Sequence, residues 1–321
     1  MLVPKQGAGL RLWTHGVSKR MRTAQEDQNH YSHLNGDRQY DFQGGQIAVF
    51  VSRVDEILGP DQSRSKEDVD HRILSALSQR EFHAWACLRH PVRRREWLAA
   101  RLLIKQLVLM GAIFPKEDKY CFIPWHPVVR FFVHGNILDH DPAACRCIEF
   151  LSPTGGGPRL FVDREDVSQI LSCSLSHAGG WVAVACATNG HPVGVDIETV
   201  RTHSEDFLTD CFTEREQSWA EQSVTASDMS QDMLYTLLWT LKESAYKAVS
   251  AHTGFLCRTE VSMKSVMSSP LSELILDGGL PELARYDLEV CINGWHRAQG
   301  ATCRIAPDCL LSMINILERG I

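Results

Sequence analysis

Residues 237–248 read LLWTLKESAYKA. No glycine or proline interrupts the run, helix formers dominate it, and Trp239, Leu241, Tyr246 and Ala248 mark a buried or half-buried face, so the stretch is predicted to be helical. Glu243 and Lys247 then stand at i and i+4 on one face, with Lys242 beside them. A lone Glu-x-x-x-Lys is ordinarily a surface ion pair contributing a few tenths of a kcal/mol. Whether this one does more depends on the company it keeps.

With 321 residues and 44% hydrophobic content, the chain can bury a full core, as one large domain or two ordinary ones. A net charge of -6 and a pI near 6.2 argue against nucleic acid as a general partner, because phosphate-backbone binding needs a basic footprint. Any anion site must be local. Eleven cysteines form no even framework, and the opening MLVPKQGAGLRLW lacks the apolar core of a signal peptide. A reducing, cytoplasmic setting is expected. The longest apolar run, LAARLLIKQLVLMGAIF at 98–114, carries Arg101 and Lys105, so it reads as a core helix and no membrane span is expected.

The first 43 residues are polar and without sustained period, and are expected to form a mobile extension. A strand is predicted in GQIAVFVSRVDE (45–56), helical spacing in 68–90, and a longer helix in PVRRREWLAARLLIKQLVLMG (91–111). Residues 113–150 look like an irregular insertion bearing one strand, VVRFFVHG (128–135). The histidines and cysteines there (His126, His134, His140, Cys145, Cys147) match no usual zinc spacing. Residues 173–200 read as three short strands. A second half repeats the composition: helices in 204–221 and in the opening stretch, then strands in TEVSMKSV (259–266), ARYDLEVCIN (284–293) and GATCRIA (300–306). The pattern is α+β with antiparallel strands, an N-terminal unit over 44–190 and a C-terminal unit over 191–321. No residue-level repeat between the halves is visible in the sequence.

In VGVDIE (193–198), strand alternation sends Asp196 and Glu198 to one side and Val195 and Ile197 to the other. A solvated strand end explains a lone D-x-E. Two neighbouring carboxylates joined by Glu243 from the helix, with Lys242 and Lys247 alongside, suit Mg²⁺ and phosphate chemistry instead. Upstream, Ser176 and His177 precede two glycines, where a hydroxyl, an imidazole and backbone N–H groups can grip a phosphate.

Four blocks stand in order: Ser176-His177-Ala178-Gly179, Gly194-Val195-Asp196-Ile197-Glu198, Phe212-Thr213-Glu214-Arg215-Glu216, and the run from Trp239 to Lys247. Together they resemble the 4'-phosphopantetheinyl transferase superfamily, in its long, monomeric, surfactin-synthetase type. RRREWLAARLLIKQLV is similar to that family's first long helix, including Arg101. The resemblance covers about Leu77 to Val261. It implies two similar subdomains related by a pseudo-twofold axis, each an antiparallel sheet with packed helices, and an active site at their interface. It also implies transfer of 4'-phosphopantetheine from coenzyme A to a serine of an apo acyl or peptidyl carrier protein, with release of 3',5'-ADP. By that resemblance Asp196, Glu198 and Glu243 hold Mg²⁺, and Glu243 with Lys247 is catalytic. Arg101, Ser176, His177, Lys242 and Lys247 bind coenzyme A, and Glu216 is a supporting acid.

The chain departs from the family where a G-K-P lysine is common: Gly156-Gly157-Pro158 stands there, and Arg159 follows as a stand-in. Glu81 and Ala84 occupy positions where some members carry lysines. A silent coenzyme A-binding or carrier-docking module and a Mg²⁺-dependent nuclease are the competing readings. Asp196, Glu243 and Lys247 are all retained, against the first, and the acidic pI speaks against the second.

Overall fold

Strand β1 (Ile47–Arg53) is the first element in the computed structural model, which describes residues 47–59, 71–109, 128–131, 141–151, 158–188, 191–226, 229–249, 259–267, 283–292 and 294–319. The first 43 residues, the glycines at 155–157 and the histidines at 126, 134 and 140 lie outside the described residues. Three short helices follow β1: α1 (Val54–Leu58), α2 (His71–Leu74) and α3 (Gln79–Ala86). The helical spacing of 68–90 is thus broken at 75–78, where Ser78 opens α3 by accepting the Glu81 N–H at 3.2 Å. Helix α4 (Pro91–Leu109) is the predicted long helix, with proline at its first position.

Strand β2 (Val128–Phe131) runs parallel to β1, a departure from the all-antiparallel expectation. Helix α5 (Pro142–Arg146) leads into a small antiparallel sheet of β3 (Ile148–Leu151), β4 (Arg159–Val162) and β5 (Glu165–Asp166). Strands β6 (Leu171–Ala178) and β7 (Trp181–Thr188) complete the first large sheet in the order β2-β1-β7-β6. Strand β8 (Val193–Thr199) opens the second half, followed by α6 (Glu205–Cys211), α7 (Glu214–Ala226) and the long α8 (Gln231–Val249). Strands β9 (Glu260–Met267), β10 (Leu283–Cys291), β11 (Trp295–Ala306) and β12 (Cys309–Arg319) then build a second, antiparallel sheet ordered β8-β12-β11-β10-β9. The sequence reading had no place for β12, the strand that joins β8 to the rest.

Alternation along the strands stacks these elements in layers. Val182, Val184 and Cys186 of β7 turn toward Leu98, Leu102 and Leu103 of α4, while Ala183, Ala185 and Ala187 turn the other way. That second face meets Val195 and Ile197 of β8 and Leu311 and Met313 of β12 in one apolar layer between the two sheets. The far face of the second sheet, with Leu310, Ile314 and Val290, packs on Leu234, Leu237, Leu238 and Leu241 of α8. The order is therefore α4, first sheet, second sheet, α8. Among the described residues no helix is long and apolar enough to cross a membrane.

Each half also carries the same buried polar device. In the first, Glu81 caps α3 by accepting the Ser78 N–H (3.0 Å), accepts the Phe150 N–H (3.2 Å) and pairs with Lys105 of α4 at 2.7 Å. In the second, Glu216 accepts the Thr213 N–H (2.9 Å) and the Val261 N–H (2.9 Å), and pairs with Lys242 of α8 at 2.7 Å. Both lysines are fully buried. An ion pair so placed holds its helix in one register, because removing either partner strands a charge in the core. Lys105, one of the two charges in the apolar run at 98–114, is thereby accommodated in the core.

Candidate active site

Strand β8 lies at the edge of the second sheet, and its outward N–H groups are satisfied by side chains rather than by another strand. Val195 N–H donates to Ser174 Oγ and Ile197 N–H to Ser176 Oγ, each at 3.1 Å, so two hydroxyls of β6 lock the first sheet to the second. Helix α8 comes down on β8 at Gly194, where a Cβ would sit 1.8 Å from the Ser244 carbonyl oxygen and 2.8 Å from Ala248 N. Only glycine permits that approach. It brings Glu243 and Lys247, neighbours of those two contact residues, against Asp196 and Glu198.

Asp196, Glu198 and Glu243 each offer a carboxylate oxygen within 4.8 Å of the others. Asp196 is buried, and its Oδ1 accepts from Lys247 Nζ at 2.5 Å and from Ser176 Oγ at 2.8 Å. Its Oδ2 is buried with no hydrogen-bond partner among the described residues. Lys247 also lies 3.4 Å from Glu243 and donates to the Val195 carbonyl at 3.3 Å. Burial, and after the opposing pull of Lys247 the repulsion from Glu243 and Glu198, raise the Asp196 carboxyl to about 7. Burial and Glu243 likewise raise Glu198, against Arg201, Lys247 and a hydrogen bond from Trp239. Lys247 is shifted upward, because Asp196 and Glu243 outweigh its burial. Three carboxylates this close repel one another even with the ammonium of Lys247 beside two of them, and Asp196 Oδ2 offers a contact to a further cation. An all-oxygen donor set of this kind fits Mg²⁺.

The remaining predicted residues divide. Ser176 joins the acids by its bonds to Asp196 and Lys247 rather than standing apart as a phosphate grip. His177, on the next residue of β6, pairs through Nδ1 with Glu96 at 3.2 Å. Arg101 is half-buried, its guanidinium 4.0 Å from the Trp97 ring centre and 5.8 Å from that of Phe150, and its Nε has no hydrogen-bond partner among the described residues. Burial lowers it to about 10, opposed by Glu81, so it is still a cation at neutral pH. Lys242 is held by Glu216 and does not reach the acids, which makes that pair part of the scaffold of α7 and α8. Arg159 lies on the small sheet in an exposed ion pair with Asp166 at 3.0 Å, so any contact with coenzyme A would compete with that pair. Two residues outside the predicted set also belong here: Trp239, which supports Glu198, and Glu96.

Residues 192–292, which contain β8, α8 and all three acids, match the family model described as the 4'-phosphopantetheinyl transferase superfamily. A curated relative, the 4'-phosphopantetheinyl transferase gsp of Aneurinibacillus migulanus, is 36% identical over 76 residues. That match spans 24% of this chain and 30% of the relative. The family match thus covers three of the four motif blocks, those from Gly194 onward, on the segment that builds the acid cluster; the block Ser176 to Gly179 lies before it.

Proposed function

We propose that the protein transfers 4'-phosphopantetheine from coenzyme A to a serine hydroxyl of an apo acyl or peptidyl carrier protein, as a cytoplasmic, monomeric enzyme of the long, surfactin-synthetase type. The observation that carries this reading is the convergence of Asp196, Glu198 and Glu243, with Asp196 Oδ2 lacking a partner among the described residues, inside the stretch that matches the transferase superfamily. The twin Glu–Lys networks support a pseudo-twofold relation between units at 44–190 and 191–321, with the site where β6 of one meets β8 of the other.

In this scheme Asp196, Glu198 and Glu243 would hold Mg²⁺, which would supply charge neutralisation for the transfer of the phosphoryl group. Ser176 and Lys247 engage Oδ1 of Asp196 and so orient its carboxylate. Glu243, partly exposed beside Lys247, accepts the proton of the carrier serine, directly or through one water. The serine oxygen bonds to the β-phosphorus as the bridging P–O bond breaks. The electron pair of that bond leaves with 3',5'-ADP. His177 and Arg101 supply positive or donor groups for the phosphates, and Arg159 is a further candidate. Following 3',5'-ADP release with coenzyme A, Mg²⁺ and apo carrier tests the reading: release should require all three, and release without carrier would instead indicate hydrolysis.

A further inference from the structure

One buried carboxylate beside the site has no part in the scheme above. Glu96, on α4, is 8% exposed; its Oε2 lies 3.2 Å from His177 Nδ1 and its Oε1 accepts the Gly180 N–H at 3.2 Å. Burial pushes this carboxyl upward, yet the bonds from His177 and Gly180 prevail and hold it below the ordinary range. An ionised carboxylate only accepts, so Nδ1 carries the proton of that bond. The other ring nitrogen, Nε2, has no hydrogen-bond partner among the described residues and is not sealed in the core. Glu96 also pins the turn after His177: Gly179 and Gly180 both have positive φ (59° and 77°), and the Gly180 carbonyl accepts the Val54 N–H at 2.9 Å.

Resting on the transferase reading, we propose that Glu96 is a positioning residue that acts through His177, turning Nε2 toward a phosphate of coenzyme A and holding the ring as the cation that donates to it. Met directly, a carboxylate repels phosphate. With the imidazole interposed, the two anions face opposite edges of one ring and do not meet. Ser176, the preceding residue, points to the acids while His177 points to α4, so one strand end carries both the metal-side and the phosphate-side contacts.

Calorimetric binding of coenzyme A with Mg²⁺ present and carrier left out, where no transfer occurs, tests this on wild type, Glu96→Gln, His177→Gln and the double variant, with steady-state kinetics alongside. Glu96→Gln should weaken coenzyme A binding roughly tenfold, the worth of one charge-assisted hydrogen bond. It should raise KM for coenzyme A while leaving kcat within about twofold. The double variant should bind no more weakly than His177→Gln alone, because Glu96 acts only through that ring. Unchanged affinity in Glu96→Gln, or losses that multiply in the double variant, would overturn the assignment and leave Glu96 a structural acid. Nitrogen NMR of His177 in the unmodified protein avoids any question of folding: both ring nitrogens should be protonated with coenzyme A bound, and a neutral ring would overturn the assignment. Wild type that binds no coenzyme A would overturn the transferase reading as well, whereas wild type that binds while Glu96→Gln is unaffected would overturn this inference alone.

Discussion

Replacing Gly194 by alanine puts one methyl group at the closest approach of helix and sheet. The added carbon would lie 1.8 Å from the Ser244 carbonyl oxygen and 2.8 Å from Ala248 N, both backbone atoms that cannot rotate aside. Restoring even a 3.0 Å contact requires α8 to retreat from β8 by about 1.2 Å. Overpacking ordinarily costs about 1–3 kcal/mol, and a rigid backbone neighbour places this case at about 3 kcal/mol or above. The retreat carries Glu243 and Lys247 away from Asp196, so the 2.5 Å contact between Lys247 and Asp196 cannot persist. A misplacement of about 1 Å at reacting groups is enough for a rate loss on the order of 100-fold. Urea unfolding should show a lower midpoint with an unchanged slope, and transfer should fall by about that factor. Gly300→Ala is the control, because its new carbon meets the end of the Leu288 side chain at 2.6 Å, an atom that can move, and touches no site residue. If Gly194→Ala unfolded at the wild-type midpoint and retained wild-type transfer, the close approach of α8 would not be what assembles the acids.

Glu243→Gln should abolish transfer with little change in melting temperature, since the side chain is partly exposed and its volume is kept; transfer at the wild-type rate would remove it from the base and ligand roles. Asp196→Asn should keep or raise the melting temperature of metal-free protein by relieving repulsion among three acids, and should erase the stabilisation that Mg²⁺ gives wild type, measured by thermal melts with and without the ion. Lys242→Met should cost about 3–5 kcal/mol by stranding Glu216, and adding Glu216→Gln should recover part of that loss. If Lys242→Met instead raised KM for coenzyme A at undiminished stability, the lysine would belong to the substrate and not to the scaffold.

Much of the site was legible because its chemistry sits on regular periods. The two-residue alternation of VGVDIE and the four-residue spacing from Glu243 to Lys247 place three acids and a lysine toward one region, and the strands and long helix around them follow from the same patterns. Lys242 was harder, since it neighbours Glu243 in the chain yet lies about 100° away around the helix, on the face where Glu216 waits. Ser78-Gln79-Arg80-Glu81 and Thr213-Glu214-Arg215-Glu216 are two capping boxes of like sequence. Their likeness goes unnoticed in the sequence because the partners that complete each network, Lys105 and Lys242, stand 24 and 26 residues further on. Glu96 carries no signal of its own, because an acid among the arginines of RRREW looks like surface charge until β6 brings His177 against it. The role of β12 is likewise long-range: its register opposite β8, with Ser312 facing Asp196, depends on pairing residues 116 positions apart in the chain.

The most direct test of the central claim is intact-mass measurement of apo carrier proteins, from fatty-acid, polyketide and nonribosomal-peptide systems, incubated with this protein, coenzyme A and Mg²⁺. At least one carrier should gain the mass of a single phosphopantetheinyl group on its serine, the gain should vanish on chelation of the metal, and Glu243→Gln should give none. Carriers that stay at their apo mass throughout, with the protein folded and binding coenzyme A, would contradict the transferase account and leave a coenzyme A-binding module in its place.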